Sequence, residues 1–97
     1  MELTSKQRAF LRSASNQMET ILQIGKSGVT DTVVVQVKDA LKARELIKIR
    51  VLETCPFTPK EAAQALAEAT GASVVSVLGS RAVLFLRNPQ NIQYDLP

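Results

Sequence analysis

Histidine and tryptophan are absent from this 97-residue chain, and cysteine occurs once, at Cys55. Without histidine no side chain offers an ordinary pKa near neutrality for general base work, and the nine carboxylates are scattered along the chain. His-Glu-x-x-His and paired Cys-x-x-Cys spacings do not occur, so no metal, no cofactor and no small-molecule substrate is expected, and the composition points away from an enzyme. A lone cysteine cannot close an internal disulfide, and Cys55 has no neighbouring base to activate it, so it reads as a structural residue. No apolar run approaches the ~20 residues of a membrane span, and Met1-Glu2-Leu3-Thr4 opens no signal peptide. A cytoplasmic protein without a membrane partner is the expectation.

With 45% hydrophobic residues the chain has the composition of a globule. One domain over residues 1–97 is expected, since this length buries about 60–65% of the unfolded surface and needs no disulfide or metal. No linker, repeat or low-complexity stretch interrupts it. Twelve Lys and Arg against nine Asp and Glu give a net charge of +3. The excess permits a polyanionic partner but also serves solubility, so its arrangement carries the information.

Residues 25 to 28 read Gly-Lys-Ser-Gly, between the apolar run Ile21-Leu22-Gln23-Ile24 and a helix start at Val29-Thr30-Asp31. Glycines tolerate positive φ and close approach of a bulky group. Amides at the following helix start can face an anion held by the loop, and Lys26 at the tip adds a mobile positive charge. In KH modules a GXXG loop of this kind clamps a nucleic-acid backbone. Gly-Lys-Ser also ends the P-loop pattern, but that pattern requires glycine at position 20, where Thr20 stands. Taken alone, the four residues fit either an anion-holding loop or a plain strand-to-helix turn.

A first helix is expected from Thr4, with Gln7 completing a capping box. Leu3, Phe10, Leu11 and Ala14 form its apolar face, and Lys6, Arg8 and Arg12 lie on others. A strand follows at 20 to 24. The spacing of Val33, Val34, Val37, Ala40 and Leu41 predicts a helix from Thr30 or Asp31 to about Arg44, against the strand propensity of Thr32-Val33-Val34-Val35. From Leu46 to Leu52 the residues alternate, Ile47, Ile49 and Val51 on one face and Lys48 and Arg50 on the other. A third helix is bounded by Thr58 as cap, Pro59, Glu61 and Gly71, with Ala62, Ala65, Leu66 and Ala69 as its docking face. Two strands, 74–78 and 82–86, flank a Gly79-Ser80 hairpin turn. The order α-β-α-β-α-β-β predicts an α/β two-layer sandwich with a mixed four-stranded sheet.

Four blocks, Leu3-Thr4-Ser5-Lys6-Gln7-Arg8, Ile24 to Thr30, Ala40 to Lys48 and Thr70-Gly71-Ala72, resemble the CRM domain, named for chloroplast RNA splicing and ribosome maturation, in its free-standing bacterial YhbY form. The resemblance spans nearly the whole chain. It implies an RNA-binding module, folded like the C-terminal domain of a bacterial translation initiation factor, that associates with ribosomal RNA in precursors of the large ribosomal subunit. It implies RNA contact at Gly25, Lys26, Ser27 and Gly28. The last strand departs from the family's usual Leu-Tyr-Arg or Leu-Tyr-Lys ending, reading Leu84-Phe85-Leu86-Arg87, which shifts the basic residue to the other face of the strand.

The residues themselves support a basic surface of Lys26, Lys48, Arg50 and Arg81 around the loop, with Thr30 as a further RNA-binding candidate beside it and Lys6, Arg8 and Arg12 as a second surface. Aromatics make up only 4% of the chain: Phe10 and Phe85 fall in core patterns, Phe57 precedes a cap as a hydrophobic staple, and Tyr94 lies in a polar stretch. Stacking platforms need exposed aromatics on strands, so recognition through backbone and shape by a monomer is expected. The alternative is an adaptor that docks on ribosomal or other proteins through apolar sheet edges.

Overall fold

In the computed structural model, which describes residues 2–97, the elements run α1 (Ser5–Ser15), β1 (Leu22–Ile24), α2 (Asp31–Arg44), β2 (Leu46–Val51), α3 (Pro59–Thr70), β3 (Ser73–Leu78) and β4 (Arg81–Phe85). The expected element order and the mixed sheet are both present. The strand order is β1-β2-β4-β3, with β1 parallel to β2 and the other pairs antiparallel.

Local chemistry sets the helix boundaries. Thr4 and Thr58 each accept from the N3 amide while Gln7 and Glu61 reach back to the cap amide, closing both capping boxes. Bonding to Thr58 holds the Glu61 carboxyl below its usual range. Gly71 ends α3 at φ 82°, a conformation that costs glycine nothing. The valine-rich 32–36 segment is helical, because Thr30 caps it through Val33 N and because Val37 and Leu41 bury fully at helical spacing.

One face of the sheet, carrying Ile24, Ile47, Ile49, Val51, Ala82 and Leu84, packs on α2 and α3 through Val37, Leu41, Ala62, Ala63 and Leu66. Each large aliphatic buried there contributes about 2 kcal/mol. Cys55 is buried at the margin of this core, where its Sγ accepts from Phe57 N at 3.4 Å, in keeping with a structural role.

The two-layer expectation needs one amendment. Leu46, Val75, Val83 and Phe85 form a second core on the opposite face, closed by Leu11, with Leu3 and Ala14 packed alongside, so α1 covers part of the sheet's other side. An amphipathic stripe tells that a helix docks, not on which side. Three smaller expectations also change. Phe10 is 40% exposed, because the stripe of α1 that meets the sheet runs through Leu11, Ala14 and the buried Ser15. The docking face of α3 is Ala62, Ala63, Leu66 and Ala67, with Ala69 exposed. The first strand is shorter than expected, three residues from Leu22.

Beyond β4 the chain folds back over the end of α2. Asn88 Nδ2 donates to Lys42 O at 2.8 Å and Asn91 Nδ2 to Ala43 O at 3.1 Å. Tyr94 and Leu96 then pack against the second core, so Tyr94 is half-buried rather than part of a solvated tail.

Candidate nucleic-acid interface

β1 leads into the Gly25–Gly28 turn, in which Gly28 N donates to Gly25 O at 2.9 Å, and α2 begins two residues beyond Thr30's preceding valine. Gly28 sits at φ 71°, and a Cβ there would lie 3.3 Å from both the Phe57 ring and Pro56. Its lack of a side chain is therefore required by the fold. Gly25 differs: its φ is not positive, and a Cβ would meet only Leu52 at 3.7 Å and Thr54 at 4.0 Å. Nothing inside the protein requires glycine at that position.

Lys26 and Ser27 are exposed at the tip, and their amides make no hydrogen bond among the described residues. Thr30 Oγ1 accepts from Val33 N at 3.2 Å, which leaves the hydroxyl proton free to donate outward. Asp31 already occupies the first turn of α2. Attraction of an anion to this loop must therefore come from the free amides and Lys26 rather than from the helix dipole alone.

The other expected cations lie at the same end of the sheet. Gln23 pairs with Arg50, Arg50 with Arg81, and Arg81 with Leu78, so one row crosses all four strands beside the loop. Alternation puts Lys48, Arg50 and Arg81 on the α1 side of the sheet, where Lys48 is half-buried and the two arginines are exposed. Among the described residues the single ion pair is Arg87–Glu45, so none of these cations is neutralised by a carboxylate.

The expected second patch on α1 divides. The Arg8 guanidinium donates to Val74 O and, at 3.2 Å, to Val75 O, at the β-bulge between Val74 and Ser76. Arg8 is thus a structural pin. Arg12 instead lines a groove with Lys48 and Arg81, so it joins the sheet's cationic face. Sequence spacing carried no signal for this, since Arg12 meets Lys48 only because α1 docks on the polar side of β2. Arg87, displaced from the family's usual position, bonds Glu45 at 3.2 Å and Tyr94 O at 3.0 Å and lies over the Phe85 ring at 5.3 Å. It is committed to the fold.

The CRS1 / YhbY (CRM) domain matches residues 3–86. The chain is similar to YqeI of Bacillus subtilis strain 168, named a probable RNA-binding protein, with 40% identity over 95 residues that span 98% of this chain and 99% of that one. It is 28% identical over 95 residues to a Haemophilus influenzae protein named RNA-binding protein, covering 98% and 95% of the two chains. The solution structure of SAV1595 from Staphylococcus aureus has the same fold, with a TM-score of 0.84 at 40% identity, covering 99% of this chain and 100% of that one. Matched along nearly its whole length in sequence and in fold, the chain belongs to the CRS1 / YhbY (CRM) domain family.

Proposed function

We propose that this protein binds RNA, with ribosomal RNA in precursors of the large subunit as its target, and that it assists ribosome assembly as a cytoplasmic monomer. The observation that carries the reading is the convergence, at one end of the sheet, of a turn with two free amides and a row of cations without carboxylate partners. A phosphate sits against the amides of Lys26 and Ser27 and is held by the Lys26 ammonium, while the absent side chain of Gly25 lets the sugar-phosphate backbone approach. Arg50, Arg81 and Lys48 continue the track across the sheet, and the Thr30 hydroxyl donates beside the loop. The RNA-binding names of the relatives support this reading.

Replacing Lys26 and Ser27 together with aspartate tests it. Both side chains are exposed, so circular dichroism should be unchanged. Binding to ribosomal RNA fragments should be lost through repulsion. In Lys26→Ala the slope of log affinity against log salt should flatten by about 0.7–0.9 for the one contact removed. A folded double variant that binds as tightly as the parent would reduce the loop to a turn.

A further inference from the structure

Between the C-terminal end of α1 and the uncovered end of the sheet lies a groove with Arg12 and Asn16 on one wall and Lys48, Ser76, Leu78 and Arg81 on the others. Its floor is Val83, which closes the second core from below. Leu78 is 83% exposed, the most exposed large apolar side chain among the described residues, and stands opposite Arg81 across the β3–β4 pair. Among the described residues, three cations and no carboxylate line the groove. No aromatic residue lines it either, and this distinguishes it from the stacking platforms whose absence the sequence suggested.

We infer that this groove is a nucleotide subsite, which takes an unpaired base of the bound RNA while its flanking phosphates lie on Arg12 and Arg81. The inference rests on the RNA-binding reading and adds to it a preference for single-stranded RNA. Charge complementarity selects the occupant: an apolar floor within a cationic rim matches an apolar ring flanked by anionic groups. Guanidinium planes stack on bases as aromatic rings do, and aliphatic side chains cover the remaining face. Ser76 and Asn16 supply short hydrogen-bonding groups at the height of a base edge. A fully paired helix keeps its bases stacked inside and cannot fill the groove, so it gains only the phosphate contacts.

The test uses the full chain with two probes, a ten-nucleotide mixed-sequence single strand and a perfectly paired RNA duplex, across a salt series. Leu78→Ala should weaken the single strand by about fivefold to tenfold, the lower part of the range for loss of one stacked base, without changing its salt slope. The duplex should be unaffected by that variant. Arg12→Ala should weaken both and flatten both slopes by about 0.7–0.9. Ser76→Phe, which fills the groove, should reproduce the Leu78→Ala selectivity. If Leu78→Ala and Ser76→Phe, both folded by circular dichroism, bind the single strand as the parent does, no base enters and the proposal falls. If polyglutamate displaces the single strand from the parent but not from Ser76→Phe, the groove serves an acidic peptide and the proposal also falls. Loss of all RNA binding in the Lys26, Ser27 double aspartate variant, alongside an unaffected Leu78→Ala, would reject this subsite and leave the loop reading standing.

Discussion

The Glu45 carboxylate, fully buried, faces the Arg87 guanidinium at 3.2 Å and thereby ties the end of α2 to the chain that leaves β4. The backbone amides of Asn88 and Gln93 reach the same carboxylate at 2.7 and 2.6 Å, and that of Tyr94 at 3.3 Å. Glu45 holds this position at φ 61°, the one non-glycine residue with positive φ among the described residues. The strained backbone aims the side chain inward at the turn from helix to strand.

Glu45→Ala should cost about 3 kcal/mol in denaturant unfolding, since it strands a partly buried guanidinium and three amides. Glu45→Gly removes the same carboxylate but relieves the positive φ, and should be more stable than Glu45→Ala by about 1 kcal/mol. The reverse order would mean that the backbone at 45 carries no strain.

Acid should loosen the same clamp. Burial pushes the Glu45 carboxyl upward, but the amides of Asn88 and Gln93, the Arg87 charge and the Tyr94 amide together hold it below its ordinary 4.5. Between the folded and unfolded pKa values the unfolded chain binds more protons, so stability rises with pH across that window. The contribution is complete above pH 4.5 and is lost as pH falls through the folded pKa. Glu45→Gln should flatten the acid limb of the stability curve, leaving the slope from Glu61, which shifts in the same direction. Amide exchange in residues 88–94 should accelerate on acidification in the parent before the β2–β4 ladder opens.

The two glycines of the loop should separate structure from binding. Gly28→Ala meets Phe57 and Pro56 at 3.3 Å with φ 71°, and should lose about 1–2 kcal/mol of stability. Gly25→Ala should unfold within about 0.5 kcal/mol of the parent, yet bind RNA more weakly if, as proposed, the sugar-phosphate backbone approaches where the added methyl group stands. Equal RNA affinity in Gly25→Ala would show that no backbone comes close there.

Arg50 and Arg81 pair across β2 and β4, and neither forms an ion pair with a carboxylate among the described residues. Like charges directly opposite destabilise a sheet, so Arg81→Gln should leave stability unchanged or raise it by up to about 0.5 kcal/mol. RNA affinity should fall with a salt slope flatter by about 0.7–0.9. A variant that is less stable but binds RNA equally well would assign Arg81 to the fold.

The caps, the hairpin and the helical state of 31–44 were legible in the sequence because each depends on residues within four positions of one another, as Thr58 with Glu61 or Val37 with Leu41. The loop and the alternation of Lys48 and Arg50 were legible for the same reason. The face on which α1 docks was not, since it depends on Leu46 and Phe85 turning toward Leu11, and Leu46 shares its side of the strand with Lys48 and Arg50. Nothing in the sequence near Glu45 marks it as a buried clamp. Its partners lie more than forty residues further along, and only the return of the chain after β4 brings them within reach.

The placement of α1 also bears on the order in which the protein acquires its shape during synthesis. α1 leaves the ribosome first, but the surface it needs is built from Val75, Val83 and Phe85 and is flanked by Tyr94 and Leu96. The α2–α3 core shares this wait, since it draws on Ala82 and Leu84 of the same strand and has Leu86 packed against it. Nascent α1 therefore has no complete docking surface until β3 and β4 have emerged.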